Sequence, residues 1–421
     1  MASPAPQLAF REVLRIRAVR RLWMAQLVSI FGDFLAVFAV LSVVTFQLHG
    51  TPTQVAMLLV AFLTPLAIVS PLAGVYVDQW NVKGTMIASD LVRGVLVLAL
   101  LFERDLGAIY LTFFALSTVS SFFVPAQSVA VRALAPPAGL MAVNALMSQA
   151  VQGTQIIAPA IAGLLVQWVG ANWCFLFDSL SFFFSAGMVM TLAIHREKTA
   201  AAGARPGAGS SVLNSLGQGF RFIFSHAAIS FVMISMSSGM FAVRCFGALL
   251  SVYVRDVLAS STTLFGTLNS LIGIGMIAGT QSLHRFARRT PQQYLVIYGL
   301  GGMGVAVLVT AVFGMVGTAA LGMLGLGFGA AFIMVPSQTL LQQETPHELL
   351  GRVISSLMSL LAFSQVVAMF VAGPVAQKAG IRNLYFGSAA MLLTIGAVGY
   401  GRLRKPAAGG TAAVEPETAG D

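Results

Sequence analysis

The run LWMAQLVSIFGDFLAVFAVLSVVTFQL, residues 22–48, is apolar along its length and carries one ionisable side chain, Asp33, near its middle. About 20 consecutive apolar residues suffice for a helix to cross the hydrocarbon core of a bilayer. The run therefore reads as a spanning helix, with Asp33 far from water at either end. A charge at that depth costs on the order of 3 kcal/mol unless it is paired, solvated or neutralised. Two readings follow. Asp33 packs against a polar neighbour and only orients its helix, or it is a working group of the kind that relays protons or binds ions.

Working outward, the rest of the chain has the same character. Of its 421 residues, 57% are hydrophobic and 9% charged, a balance no soluble fold of this size could bury. The net charge of +10 would suggest nucleic acid in a soluble protein. Here the lysines and arginines lie mostly in short loops between apolar runs, so no nucleic-acid partner is expected. Cys174 and Cys245 each sit alone in an apolar run, without metal or disulfide spacing. The basic start followed by an apolar run is too long for a cleaved leader and reads as the first span.

Twelve apolar runs are expected to span, at about 21–48, 53–77, 84–102, 107–133, 140–168, 172–194, 228–255, 262–284, 291–313, 316–342, 348–378 and 382–402. Arg11, Arg15, Arg17, Arg20, Arg21, Lys83, Arg132 and most other basic residues fall on one side. The other side has only Arg104, Arg255, Lys378 and Arg382. By the positive-inside rule both termini are cytoplasmic. The longest connection begins with a low-complexity Ala/Gly/Ser linker and continues with Leu213, Leu216, Phe220 and Ile223 on one stripe, as in a helix lying in the interface. The expected organisation is an arm at 1–20, a six-helix bundle at 21–194, a linker at 195–227, a second six-helix bundle at 228–403 and a tail at 404–421.

The two halves look like copies. VPAQS at 124–128 matches VPSQT at 335–339, and GLLVQWVG at 163–170 matches GPVAQKAG at 373–380. Both matches are about 210 residues apart and fall in the fourth and fifth spans of each half. Repeated six-helix units are a transporter architecture, with the binding site at their interface.

Between the second and third runs stands GVYVDQWNVKG, residues 74–84. It resembles the signature loop of the major facilitator superfamily, with Gly74, Asp78 and Lys83 in place, Gln79 for the usual Arg and Asn81 for the usual Gly. The resemblance implies that Asp78 latches the halves by meeting the start of span eleven. There TPHE at 345–348 supplies a helix start ending in Glu348, with Arg352 one turn on. The alternative is that Asp78 only closes a turn. The corresponding second-half loop has Leu283 where the acid would be. APAIAG at 158–163 resembles the Gly-Pro-x-x-Gly-Gly element of the superfamily's antiporters. With SDLVRG at 89–94 and FDSLSF at 177–182, the chain is similar to the bacterial drug, macrolide and siderophore exporter branch, whose members are proton-coupled. It is more distantly similar to lysophospholipid transporters.

Candidate working residues follow from spacing. Gln26, Ser29 and Asp33 share one face of span one. Asn144, Ser148, Gln152 and Gln155 form a stripe on span five, and Ser117, Ser121, Pro125 and Ser128 one on span four, with Gln127 beside it and Gln338 at the repeated position. Such stripes should avoid lipid, lining a cavity or bonding helix to helix. Asp90 and Arg93 are three apart, suited to pairing, and are expected near the cytoplasmic end of span three in a structural or gating role. Asp178 and Arg244 are the other buried charges. Arg244 is the leading partner for Asp33, with Asp178 or an anionic substrate as alternatives. GLGGMG at 299–304 matches a dinucleotide fingerprint but lies inside an apolar run and reads as close helix packing.

The expectation is an all-α membrane protein, twelve helices in two six-helix bundles. It would be a proton-coupled exporter of a small amphipathic compound in a bacterial inner membrane, surrounded by lipid and acting as a monomer. Neither catalysis nor a cofactor or metal is expected. A lipid or metallophore exporter is the alternative, and a membrane scaffold without transport the remote one.

Overall fold

The computed structural model describes residues 8–77, 79–103, 105–194, 226–287 and 290–404. Among these every regular element is a helix. A short α1 (Phe10–Arg15) precedes the first long helix, α2 (Arg17–Ser42), which ends in a π-helical turn (Val43–Gln47). The first half continues with α3 (Pro52–Val77), α4 (Val82–Ala99), α5 (Leu106–Leu134), α6 (Leu140–Trp168) and α7 (Ala171–Met190). The second half comprises α8 (Ala227–Asp256), α9 (Thr262–Phe286), α10 (Gln292–Phe313), α11 (Val316–Glu344), α12 (His347–Ala379) and α13 (Ile381–Arg404). The expected interfacial helix at 213–223 lies outside the described residues.

Eleven of the twelve long helices are long and apolar enough to cross a membrane. The exception is α4, whose 18 residues include Lys83, Asp90 and Arg93. At about 1.5 Å per residue it is roughly 27 Å long, and it is sandwiched between α5 and α7, which shield those charges from lipid. Asn81 caps it, its Oδ1 accepting from the Gly84 backbone N–H at 3.0 Å. Asp105 does the same for α5, accepting from Ala108 at 3.1 Å.

The repeat governs the packing. In the first half α2 packs on α6 and α7, α3 on α5, and α4 on α5 and α7; the second half repeats these neighbours with α8 to α13. Pro125 and Pro336 sit inside α5 and α11. Gly170 and Gly380, 210 residues apart, turn the chain from α6 into α7 and from α12 into α13 at φ +94° and +90°, where a Cβ would be strained.

The halves meet along two seams related by the same offset. Gly163 of α6 lies against Thr262, Thr263 and Gly266 of α9; Gly373 of α12 lies against Pro52, Thr53 and Ala56 of α3. A Cβ at Gly163 would come 2.7 Å from the Thr262 carbonyl oxygen, and one at Gly373 2.8 Å from the Thr53 Cα. Only glycine lets the backbones approach so closely. Both seams lie near the ends of the helices away from α1. At that end Thr45 and Ser251 hydroxyls bond at 2.8 Å. The Arg255 guanidinium donates to the Thr45 and Gly50 carbonyls at 2.7 and 2.9 Å. The end of the π turn and the loop to Gly50 leave these carbonyls without helical partners, and the arginine of the other half satisfies them.

Candidate functional site

Asp33 sits on the side of α2 opposite Phe38 and Thr45, the residues that face the second half. Its side therefore turns into the first bundle, toward α4 and α7. Gly32 makes this approach possible, because a Cβ there would lie 2.5 Å from both Asp178 Oδ1 and Ser181 Oγ of α7. The cation acting on Asp33 is Arg93, with Asp90 adding its own charge. Asp178 in turn is within the fields of Asp33 and Arg93. Carboxylates from three helices thus lie within the field of one guanidinium, which pairs directly with Asp90.

That guanidinium is held firmly. Arg93 forms an ion pair with Asp90 one turn before it, as the spacing leads one to expect. It is also flanked by the rings of Phe123 and Phe182, each 4.3 Å from its carbon to the ring centroid. Asp90, Arg93 and Asp178 are buried and Asp33 half-buried. Asp178 Oδ1 accepts from Ser181 Oγ at 3.3 Å. Gln26 Nε2 and Arg93 Nε are buried without hydrogen-bond partners, and Ser185 stands beside the Asp90 carboxylate, so polar atoms are poorly satisfied around this cluster.

Several expectations change. Arg244 is not the partner of Asp33; it lies on the α8 line of Ser251 and Arg255, which faces across to the first half. Asp90 and Arg93 are not near a helix end, since α4 stops at Ala99 and puts Asp90 ninth of 18. Gln26, Ser29 and Ser121 do not line a cavity. The first two are buried inside the first bundle, and Ser121 donates to the Pro65 and Ser117 carbonyls at 3.2 and 2.9 Å, joining α5 to α3. Phe38 and Phe246 are core residues, stacked on Phe265 and Tyr385.

The stripe on α6 is different. Asn144, Ser148, Gln152 and Gln155 are all exposed. Their helical line continues into Pro159 and Gly163, which pack against α9. The stripe consequently faces the second half, across a cleft that opens toward the α1 end where the helices diverge. Gln338 is exposed on α11, and Gln127 half-buried on α5. Lys83 donates to the Met190 carbonyl at 2.7 Å, closing the end of α7. Gly74 is within α3. Asp78 and the side chains of Glu348 and Arg352 lie outside what is described, so the expected latch does too.

Sequence reasoning missed the Phe123–Arg93–Phe182 sandwich and the Arg255 clasp. The polar line of Asp178, Ser181 and Ser185 on α7 was legible at spacings of three and four.

Known proteins agree with this architecture. The family model for the Major Facilitator Superfamily matches residues 22–368. The MFS-type transporter YfiS of Bacillus subtilis (strain 168) is 23% identical over 397 residues, 91% of this chain and 92% of its own. Macrolide efflux protein A of Streptococcus pyogenes is 21% identical over 389 residues, covering 90% and 94%. The crystal structure of the nucleoside transporter NupG shares the fold at a TM-score of 0.73 and 12% identity, over 92% of this chain and 100% of that one. The chain belongs to the major facilitator superfamily, and is a multi-pass membrane transporter of that type.

Proposed function

We propose that this transporter is a proton-coupled antiporter that exports a small amphipathic compound by alternating access. The observation that carries the reading is the placement of α2. One side of this helix contributes Asp33 to a cluster of three carboxylates around a single guanidinium, while another turns toward the cleft through the half-exposed Phe34. Three acids and one cation in a water-poor interior leave charge uncompensated, which favours uptake of a proton or another cation. Proton arrival would relax the hold of Arg93 on α2 and α7, and α2 would carry that change to the cleft. The likeness to macrolide efflux protein A supports export of amphipathic cargo.

In this reading both termini are cytoplasmic and the cleft opens inward. Residues 21–194 and 228–403 rock against each other about the two glycine seams, and a single copy holds the whole pathway. The Asp78 loop meeting the start of α12 biases the opposite state.

The test uses proteoliposomes with an imposed pH gradient and a substrate selected from an amphipathic-compound screen by thermal shift. Wild-type protein should move substrate only with the gradient. Asp33→Asn should still exchange substrate but lose gradient-driven accumulation about tenfold or more. Full gradient-driven transport by Asp33→Asn would show that Asp33 is not the coupling acid.

A further inference from the structure

Among the described residues the cationic cleft residue Arg244 has no acidic partner. It is the eighteenth of the 30 residues of α8, midway along the helix, and its side chain is exposed. Its line on α8 runs through Ser251 and Arg255, both bonded to the first half, so it projects into the cleft just below the point where the halves converge. The second half offers it no partner: between residues 227 and 404 the acids are Asp256, Glu344 and Glu348, all at helix ends. The first half has three interior acids, but Asp33, Asp90 and Asp178 turn away into their own bundle and are held there by Arg93.

The residues that α2 and α6 turn toward the cleft are neutral. By the 210-residue repeat its counterpart on α2 is Phe34, which is half-exposed. The wall from α6 presents Gln152 and Gln155. A guanidinium at this depth without an anion is costly to maintain, and an anion arriving with the cargo would offset that cost. Guanidinium recognises carboxylate, sulfonate and phosphate oxygens in a bidentate manner, glutamine amides can bond the remaining oxygens, and phenylalanine faces suit an apolar body.

From this we infer that Arg244, with Gln152, Gln155 and Phe34, forms the cargo site, and that the cargo is an amphipathic anion. The inference rests on the transport reading above and specifies its substrate class. Arg244 touches cargo and takes no part in the proton cluster.

The test measures ligand binding to the full chain in nanodiscs, by thermal shift and fluorescence titration. Dansyl-glycine serves as a soluble aromatic acid, lysophosphatidylglycerol as an anionic lipid, and rhodamine 6G as an amphipathic cation. Wild type should be stabilised by at least one anion in preference to the cation, and which anion separates soluble acid from lipid cargo. Arg244→Gln should weaken that anion about tenfold to a hundredfold, with Arg244→Lys intermediate. Preference for rhodamine 6G, absence of anion binding, or unchanged anion affinity in Arg244→Gln would overturn the inference. A parallel Asp33→Asn sample separates the two readings. Its gradient-driven transport tests the coupling reading alone, whereas its preference for the anion over rhodamine 6G, which rests on Arg244, should persist.

Discussion

At the scale of single residues, Arg93 is a buried cation held from three helices at once. Its guanidinium pairs with Asp90, lies between two phenylalanine rings, and among the described residues is the cation acting on Asp33 and Asp178. Removing one partner of such a buried group leaves uncompensated charge, which typically costs about 3–5 kcal/mol. Arg93→Ala should therefore lower the unfolding temperature in detergent markedly. Arg93→Lys should recover only part, because an ammonium cannot stack flat between two rings. Deleting Asp90 as well should restore some stability relative to Arg93→Ala alone. If the double variant is no more stable than the single one, the charge account of this cluster is wrong. The pairing of Asp90 with Arg93 could be read from a spacing of three. The rings of Phe123 and Phe182 could not, because they come from α5 and α7 and no periodicity within α4 refers to them.

At the scale of elements, the junction of α2 and α8 is held by an arginine acting on backbone carbonyls. The π turn at Val43–Gln47 and the loop to Gly50 expose oxygens that Arg255 of the second half satisfies. Asp256 fixes the guanidinium from the other side at 2.6 and 3.0 Å. These bonds hold only while the halves are closed at this end. Arg255→Ala should shift the equilibrium toward opening there by about 1–3 kcal/mol, the usual cost of buried carbonyls left unmet. Spin labels at His49 and Ser260, one in each half, should report a longer mean distance in Arg255→Ala than in wild type. An unchanged distance distribution would remove the clasp from the switching machinery. Arg255 reads in sequence only as a basic residue at a helix end; its role depends on where the α2 turn unwinds.

At the scale of the whole molecule, the two seams define which way the cleft opens. Gly163 against α9 and Gly373 against α3 bring the halves together away from α1. The exposed line of Asn144, Ser148, Gln152 and Gln155 is left facing the gap on the α1 side. Gln152→Cys should thus react with a membrane-impermeant maleimide applied from the α1 side and be slow from the other. The native thiols Cys174 and Cys245 are buried and should give little background. Equal labelling from both sides would contradict a cleft closed at the seams. Cleft direction was beyond sequence, because an alternating-access protein uses one sequence to build both openings.

The sequence by itself determined the twelve helices, their approximate ends and the repeat, because each rests on local physics: apolar length, turn residues and near-identical segments at a constant offset. It also identified every interior charge, since lipid makes any charge conspicuous. Only the tertiary structure decided how those charges are grouped. Helical spacing relates residues on one face but not the face to its neighbour, so the shared face of Gln26, Ser29 and Asp33 was legible and its direction was not. Packing turned that face inward to Arg93 and left Arg244 alone in the cleft. Partner choice is a property of how helices rotate against one another, and that rotation is set by close glycine contacts such as those at Gly32, Gly163 and Gly373, whose partners lie on other helices and cannot be read from the run in which Asp33 stands.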